Sequence, residues 1–247
     1  MKDFIAGFKY PLQGFKLITR PGIRLFVIIP LLINSVLFSA VIAYGAHEII
    51  NLREWLSSRW EWSEWVTLLI WPLFAILSAS VVFYGFTLVA NLISSPFNGF
   101  LAEAVVMQLA GKAPGTVGSL ARLPQEILAA IRNEFRKFVY FLLRALPLLI
   151  LFLVPMVNVA APLIWLIFCS WMIALQYLDF PMSNHGMSFP EIRSKLKSRK
   201  SLVTGFGMSV MLLTLIPFLN FLAMPVAVIS ATRLWIRELM PASTGGS

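Results

Sequence analysis

Four long apolar stretches alternate with charged segments along this chain, and their lengths set the first expectations. Residues 25–46 carry no charge, and residues 65–102 are charge-free, with 66–93 as their most apolar part. About 20 apolar residues at a rise of ~1.5 Å cross a hydrocarbon core of roughly 30 Å. Both stretches therefore predict long transmembrane helices, the second extended beyond the interface. The other two stretches, 145–178 and 202–232, are too long for one comfortable span and too short for two. Each is interrupted inside, by Pro147, Pro155 and Pro162 in one and by Pro217 and Pro225 in the other. In both, a proline is followed three residues later by asparagine (Pro155/Asn158 and Pro217/Asn220). Half-helices of this kind fit re-entrant hairpins that dip into the bilayer and return. Irregular backbone at that depth survives only where protein or a watery cavity covers it.

The polar segments test that topology. Lys2, Lys9, Lys16, Arg20 and Arg24 precede the first stretch, while the connector 47–64 holds Arg53 and Arg59 against four glutamates. The connectors 103–144 and 179–201 are strongly basic. Single crossings by the third and fourth stretches would place Arg193, Lys195, Lys197, Arg199 and Lys200 outside, against the positive-inside tendency. Two hairpins put every basic segment on one side, as would two short full spans per stretch. The expected fold is an all-α integral membrane protein with two long transmembrane helices and two proline-broken, partly penetrating hairpins. It forms a single membrane domain over 1–247: a basic amphipathic segment at 1–24, helices at 25–46 and 65–102, a basic connector at 103–144, hairpins at 145–178 and 202–232, and a tail at 241–247. Trp55, Trp60, Trp62, Trp65 and Trp71 crowd the glutamate-rich side, as an interfacial aromatic belt does.

Composition agrees. Apolar residues make up 59% and charged residues 13% of the chain, with a mean hydropathy of +0.82, whereas a soluble domain has about 25% charged residues. A net charge of +9 raises nucleic acid as a partner, but the basic residues lie in membrane-flanking segments rather than in one patch interleaved with aromatics. Cys169 is the single cysteine, so one chain can form neither a disulfide framework nor a cysteine metal site. The first 24 residues lack the apolar core and cleavage site of a signal peptide.

Candidate anion chemistry gathers at "TRPGIR". Thr19 can cap a helix there, Pro21 suits a first turn, and Gly22 lets a ligand approach the backbone. Free amides at a helix start, here those of Gly22, Ile23 and Arg24, favour an anion. Arg20 and Arg24, four apart, can add charge-assisted bonds; the plainer alternative is that they anchor the helix at the headgroups. No acid occurs from Arg20 to Ile33, which suits a fully ionised, acceptor-only dianion. "SSPFNGFLAE" at 94–103 predicts a helix break, with Asn98 as cap and Gly99 beside it. Glu103, the only acid between Glu64 and Glu126, is expected to pair with an arginine and organise a pore rather than to bind an anion. Arg132, Arg136 and Arg144 recur at helical spacing as its candidate partners, on a stretch whose apolar face is Ile127, Ile131, Phe135, Phe138 and Leu142. That stretch also reads as a basic helix on the membrane surface. Asp179 and His185 offer too few ligands for a metal, so Asp179 reads as a turn or cap.

Five ordered motifs resemble the CysZ family of bacterial sulfate permeases over almost the whole chain. They are "GFKLITRPGIRLF" at 14–26, "ANLISSPFNGFLAE" at 90–103, "APLIWLIFCSWMIALQYLDFPMSNH" at 161–185, "FPEIRSKLKSRK" at 189–200 and "IPFLNFLAMPVAV" at 216–228. The resemblance implies a non-enzymatic, multi-pass inner-membrane permease or channel that takes up sulfate for cysteine biosynthesis. It also implies an all-helical fold, a homo-oligomer and no nucleotide-binding subunit in the chain; from the residues themselves no cofactor, metal or nucleic-acid partner is expected. Family members commonly carry two adjacent arginines after "PGI"; here Leu25 follows Arg24, so a paired-arginine clamp does not carry over. The rival readings are a lipid- or quinone-directed membrane enzyme, for which no nucleophile–base set or metal cluster is visible, and a scaffold or regulator of another transporter.

Overall fold

The structure, a computed structural model, describes residues 1–59, 64–111 and 123–240. The expected belt residues Trp60 and Trp62, part of the basic connector (112–122) and the tail 241–247 lie outside them, as do the side chains of Trp65 and of residues 81–96. Among the described residues the fold is all-helical. Its elements are α1 (Lys2–Ile18), α2 (Arg24–Arg59), α3 (Glu64–Ala110), α4 (Leu123–Leu151), α5 (Ala161–Asn184), α6 (Phe189–Ser198), α7 (Lys200–Thr214) and α8 (Pro217–Leu234), closed by a π turn at Trp235–Leu239.

Among the described residues, two helices are long and apolar enough to cross a membrane. One is the Arg24–Glu48 part of α2, 25 residues long; the other is α5, with 24. The first answers the expected span at 25–46. The second was expected as one arm of a hairpin, yet by length it can cross alone. The boundary expected at 144/145 is no element boundary, because α4 runs from the basic connector into the third apolar stretch. The irregular segment 152–160 then separates α4 from α5. It contains Pro155 and Met156, the latter in a left-handed conformation at φ 68°. In the fourth stretch α7 ends at Thr214, and α8 opens with Pro217, whose missing N–H is harmless in a first turn.

The helix break expected at Ser94–Gly99 does not occur, since α3 runs through it as one helix. Pro96 costs that helix a hydrogen bond. Packing offsets the loss one turn later, where Leu101, Ala102, Val105 and Val106 are at most 3% exposed. Asn98 therefore lies inside a helix and caps nothing. Asp179 is likewise neither turn nor cap, because α5 continues through Pro181 to Asn184.

The chain divides into two compact units, 1–27 with 96–247, and 28–95. In the first, α1 and α5 each pack against both α7 and α8. Helix α1 turns Gly7, Tyr10, Pro11, Gly14 and Leu17 inward, a spacing of three and four that makes one helical face. Lipid tails are as apolar as leucine, so burial alone does not drive helices together there; close backbone approach through small residues does. A Cβ added to Gly7 would overlap the Leu202 carbonyl, one on Gly205 the Phe4 carbonyl, and one on Gly207 the Ser170 carbonyl. The largest cluster of buried side chains fills this packing, with Phe206, Leu175, Leu178, Leu202 and Leu234 all at 0% exposure.

Charged ties hold the first unit's margins. Tyr10 donates to Glu238 Oε1 at 3.0 Å; burial, then that carboxylate, pushes the phenol up to about 12. Arg199 pairs with Glu238 at 3.4 Å and with Asp3 at 3.5 Å, linking the ends of the chain. Helix α6 starts at a capping box in which both the Ser188 N–H and its hydroxyl donate to Glu191, at 2.7 and 2.6 Å. The second unit comprises α2 from Ile28 and α3 to Ser95. On α2, Ile28, Ile29, Leu32, Val36 and Ile42 are all exposed.

Candidate functional site

The turn between α1 and α2 holds the first group of candidate residues. Thr19 closes α1 rather than capping α2, and Pro21 lies in the turn, three residues before α2 begins. Gly22 takes φ +89°, a conformation that favours glycine. Ile23 is 0% exposed and packs with Leu17, Val27, Leu101 and Val105, which fixes the turn to the first unit. The amides of Ile23 and Arg24, read in the sequence as donors for an anion, both bond the Arg20 carbonyl, at 3.1 and 3.2 Å. That pair of bonds closes the loop tightly and turns those N–H groups away from a ligand. The same closure stacks residues 20 and 24 one turn apart, with both arginines exposed. The donors this turn offers are thus chiefly guanidinium groups. Gln108, near the end of α3, donates through Nε2 to the Pro21 carbonyl and ties that helix to the turn.

A second group lies on α3. Asn98 is buried at 7% exposure, and its Nδ2 reaches Met224 Sδ on α8 at 3.5 Å. The Gly99 carbonyl accepts from Asn184 Nδ2 on α5 at 2.9 Å. Glu103 follows Gly99 by one turn and is half-buried, beside Ala102 at 0% exposure. The Asn98–Gly99 pair therefore acts as a polar clip between α3, α5 and α8, a role in packing that its cap-like sequence did not suggest.

On α4, Arg132 and Arg136 are exposed, and Arg144 stacks on the Tyr140 ring at 4.0 Å. The buried cation is the neighbour of Arg136. Lys137 is 4% exposed and pairs with Glu134 at 2.6 Å and with Asp179 of α5 at 3.0 Å. Gln176 Nε2 joins Glu134 at 3.4 Å, and the Phe180 ring lies 5.9 Å from Lys137 Nζ. Sequence reading missed this network. Its one available signal was the three-residue spacing of Glu134 and Lys137, which a run of basic residues obscured. His185 is occupied structurally, with Nδ1 2.7 Å from the Pro181 carbonyl and its ring edge-on to Trp235. Among the described residues no three His, Cys, Asp or Glu side chains gather as metal ligands.

Residues 10–225 match the family described as sulfate transporter CysZ/etoposide-induced protein 2.4. Over 235 residues, 95% of this chain and 96% of the relative, the chain is 42% identical to the sulfate transporter CysZ of Pseudomonas paraeruginosa strain PA7. It is 41% identical over the same share to the protein of that name in Pseudomonas aeruginosa PAO1. The corresponding protein of Pseudomonas fluorescens Pf0-1 is also 41% identical, with 94% of its length covered. A match of this extent, carried by a chain with two membrane-length helices among its described residues, places the protein in the CysZ/EI24 family of membrane proteins.

Proposed function

We propose that this protein carries inorganic sulfate across the inner membrane, as a multi-pass permease or channel that supplies cysteine biosynthesis. The observation that supports the reading best is the 42% identity, over 95% of the chain, to a protein named for sulfate transport. The chemistry of the α1–α2 turn agrees with it. Sulfate offers only acceptors at neutral pH, and the segment from Arg20 to Ile33 has no acid. Arg20 and Arg24 supply forked donors, and Gly22 leaves room for close approach. In this reading the anion is held by the two guanidinium groups, with the backbone near Gly22 and Ile23 shaping the turn.

Two helix pairs form the partly penetrating elements: α4 with α5, and α7 with α8. The exposed apolar residues around the 152–160 segment, among them Leu153 and Met156, then lie in lipid or against another copy in a homo-oligomer. Glu103 organises the conduction path together with Asn98 and Gly99, and the exposed Arg132 and Arg136 draw anions toward it. The chain performs no chemistry on the anion and uses no cofactor.

Two variants test the assignment. Arg24→Ala weakens sulfate binding several-fold in calorimetry while the protein still assembles; unchanged affinity removes the turn from the account. Glu103→Ala slows uptake more than it weakens binding, and wild-type uptake kinetics in that variant would exclude a role in the path.

A further inference from the structure

A second set of anion donors lies away from the α1–α2 turn, where α4, α5 and α6 converge. Tyr140 of α4 is 8% exposed. The Arg144 guanidinium, one turn further along α4, sits 4.0 Å from the centroid of its ring. The Arg193 guanidinium of α6 lies 5.3 Å from the same centroid. Phe189 packs edge-on against the ring at 5.8 Å, and Trp171 of α5 donates to the phenol oxygen at 3.3 Å.

Stacking explains where the arginines sit but leaves their bonding capacity open. A guanidinium over an aromatic ring uses its flat face, while its N–H groups lie in the plane and remain able to meet an acceptor. Among the described residues no carboxylate is within ion-pair distance of Arg144 or Arg193. The phenol oxygen accepts from Trp171 and so keeps its own proton to donate. Both guanidinium groups lie within 5.3 Å of the one ring centroid, and an anion beside the ring lowers the mutual repulsion of the two cations. Arg144 is exposed and Arg193 half-buried, so a ligand can reach them without opening the core.

We propose that Arg144, Arg193 and Tyr140 form a second site for a tetrahedral oxyanion. Its occupant is free sulfate or the phosphodiester of an anionic lipid headgroup, which present the same cluster of acceptor oxygens. The site stands independently of the transport reading, because it rests on donors that the α1–α2 turn does not use.

The full-length protein in phosphatidylcholine nanodiscs is titrated with labelled sulfate. In parallel, phosphatidylglycerol retained after purification is counted by native mass spectrometry. Tyr140→Phe keeps the ring and its stacking and removes only the hydroxyl donor, and Arg193→Ala removes one fork from a half-exposed position. With sulfate as occupant, each variant weakens one class of sulfate sites about tenfold, and Arg24→Ala leaves that class intact. With a headgroup as occupant, both variants lose retained phosphatidylglycerol several-fold while sulfate binding holds. Sulfate binding and lipid retention that both match wild type in both variants overturn the site. A wild-type protein that binds no sulfate at all counts against the transport reading alone, and lipid retention then decides this one.

Discussion

The Arg24–Glu48 part of α2 and the whole of α5 are nearly equal in length and both apolar enough to span a bilayer, yet they live in different surroundings. Only 6% of the most apolar part of α2 is buried within the chain, against 33% for that of α5. Helix α2 carries no charge from Leu25 to Ala46, and a side chain added at Gly45 would meet open space. Helix α5 carries Asp179, buried and paired, packs against α4, α6, α7 and α8, and donates to α3 through Asn184. Apolar sequence states that a helix avoids water; it does not say whether lipid or protein takes the water's place. A buried charge is affordable only in the second case, where a neighbour can answer it.

The sharpest way to break this contrast is to remove one member of the ion pair. Asp179→Ala leaves Lys137 buried with only the partly exposed Glu134 to answer it and is expected to cost about 2–3 kcal/mol, below the cost of a wholly unpaired buried ion, read as lost thermal stability of the purified protein. The double variant Lys137→Met/Asp179→Leu restores most of that loss, because a matched apolar pair replaces two buried ions. If the double variant is no more stable than Asp179→Ala, the charge imbalance is not the cause.

A smaller effect compares the same substitution in the two helical environments. Gly207→Ala forces a methyl against the Ser170 carbonyl where α5 and α7 meet and destabilises by about 1–3 kcal/mol. Gly45→Ala in α2 meets open space and is neutral or gains up to ~1 kcal/mol from helix propensity. Thermal unfolding of both variants checks the opposite signs, and equal shifts would erase the distinction.

The smallest expected effect lies in the short, charged helix α6. The Ser188 hydroxyl and N–H hold the Glu191 carboxyl below its ordinary range. A depressed carboxylate contributes stability above its unfolded pKa and loses it as pH falls through the folded one. Protection factors of the α6 amides, taken after division by the intrinsic exchange rate at each pH, should therefore be steady near neutrality and fall under acid, and Glu191→Gln should flatten that dependence. An unaltered pH profile in the variant would place the acid sensitivity elsewhere.

Much of the architecture was legible before the structure, for a physical reason. Length and hydropathy report on the bilayer, whose thickness is fixed, so α2 and the all-helical class could be read directly. What stayed hidden depends on neighbours distant in sequence. "SSPFNG" has the residues of a break, but buried Leu101 and Val105 hold α3 together past Pro96. "DFP" has the residues of a turn, but Lys137, forty-two positions earlier, draws Asp179 into the interior of α5. The candidate anion site was half legible: the arginine spacing and Gly22 could be seen, whereas the use of the Ile23 and Arg24 amides within the turn could not. The Arg144–Tyr140–Arg193 convergence was out of reach, since α4 and α6 meet only in the folded chain.

The central claim is that this chain by itself moves sulfate across a membrane. Uptake of labelled sulfate into sealed liposomes holding only the purified protein, with no nucleotide and no partner, tests it most directly. The account predicts protein-dependent accumulation that Arg24→Ala reduces, with the imposed ion gradient varied between runs. Sulfate entry no faster than into protein-free liposomes under every gradient would contradict it.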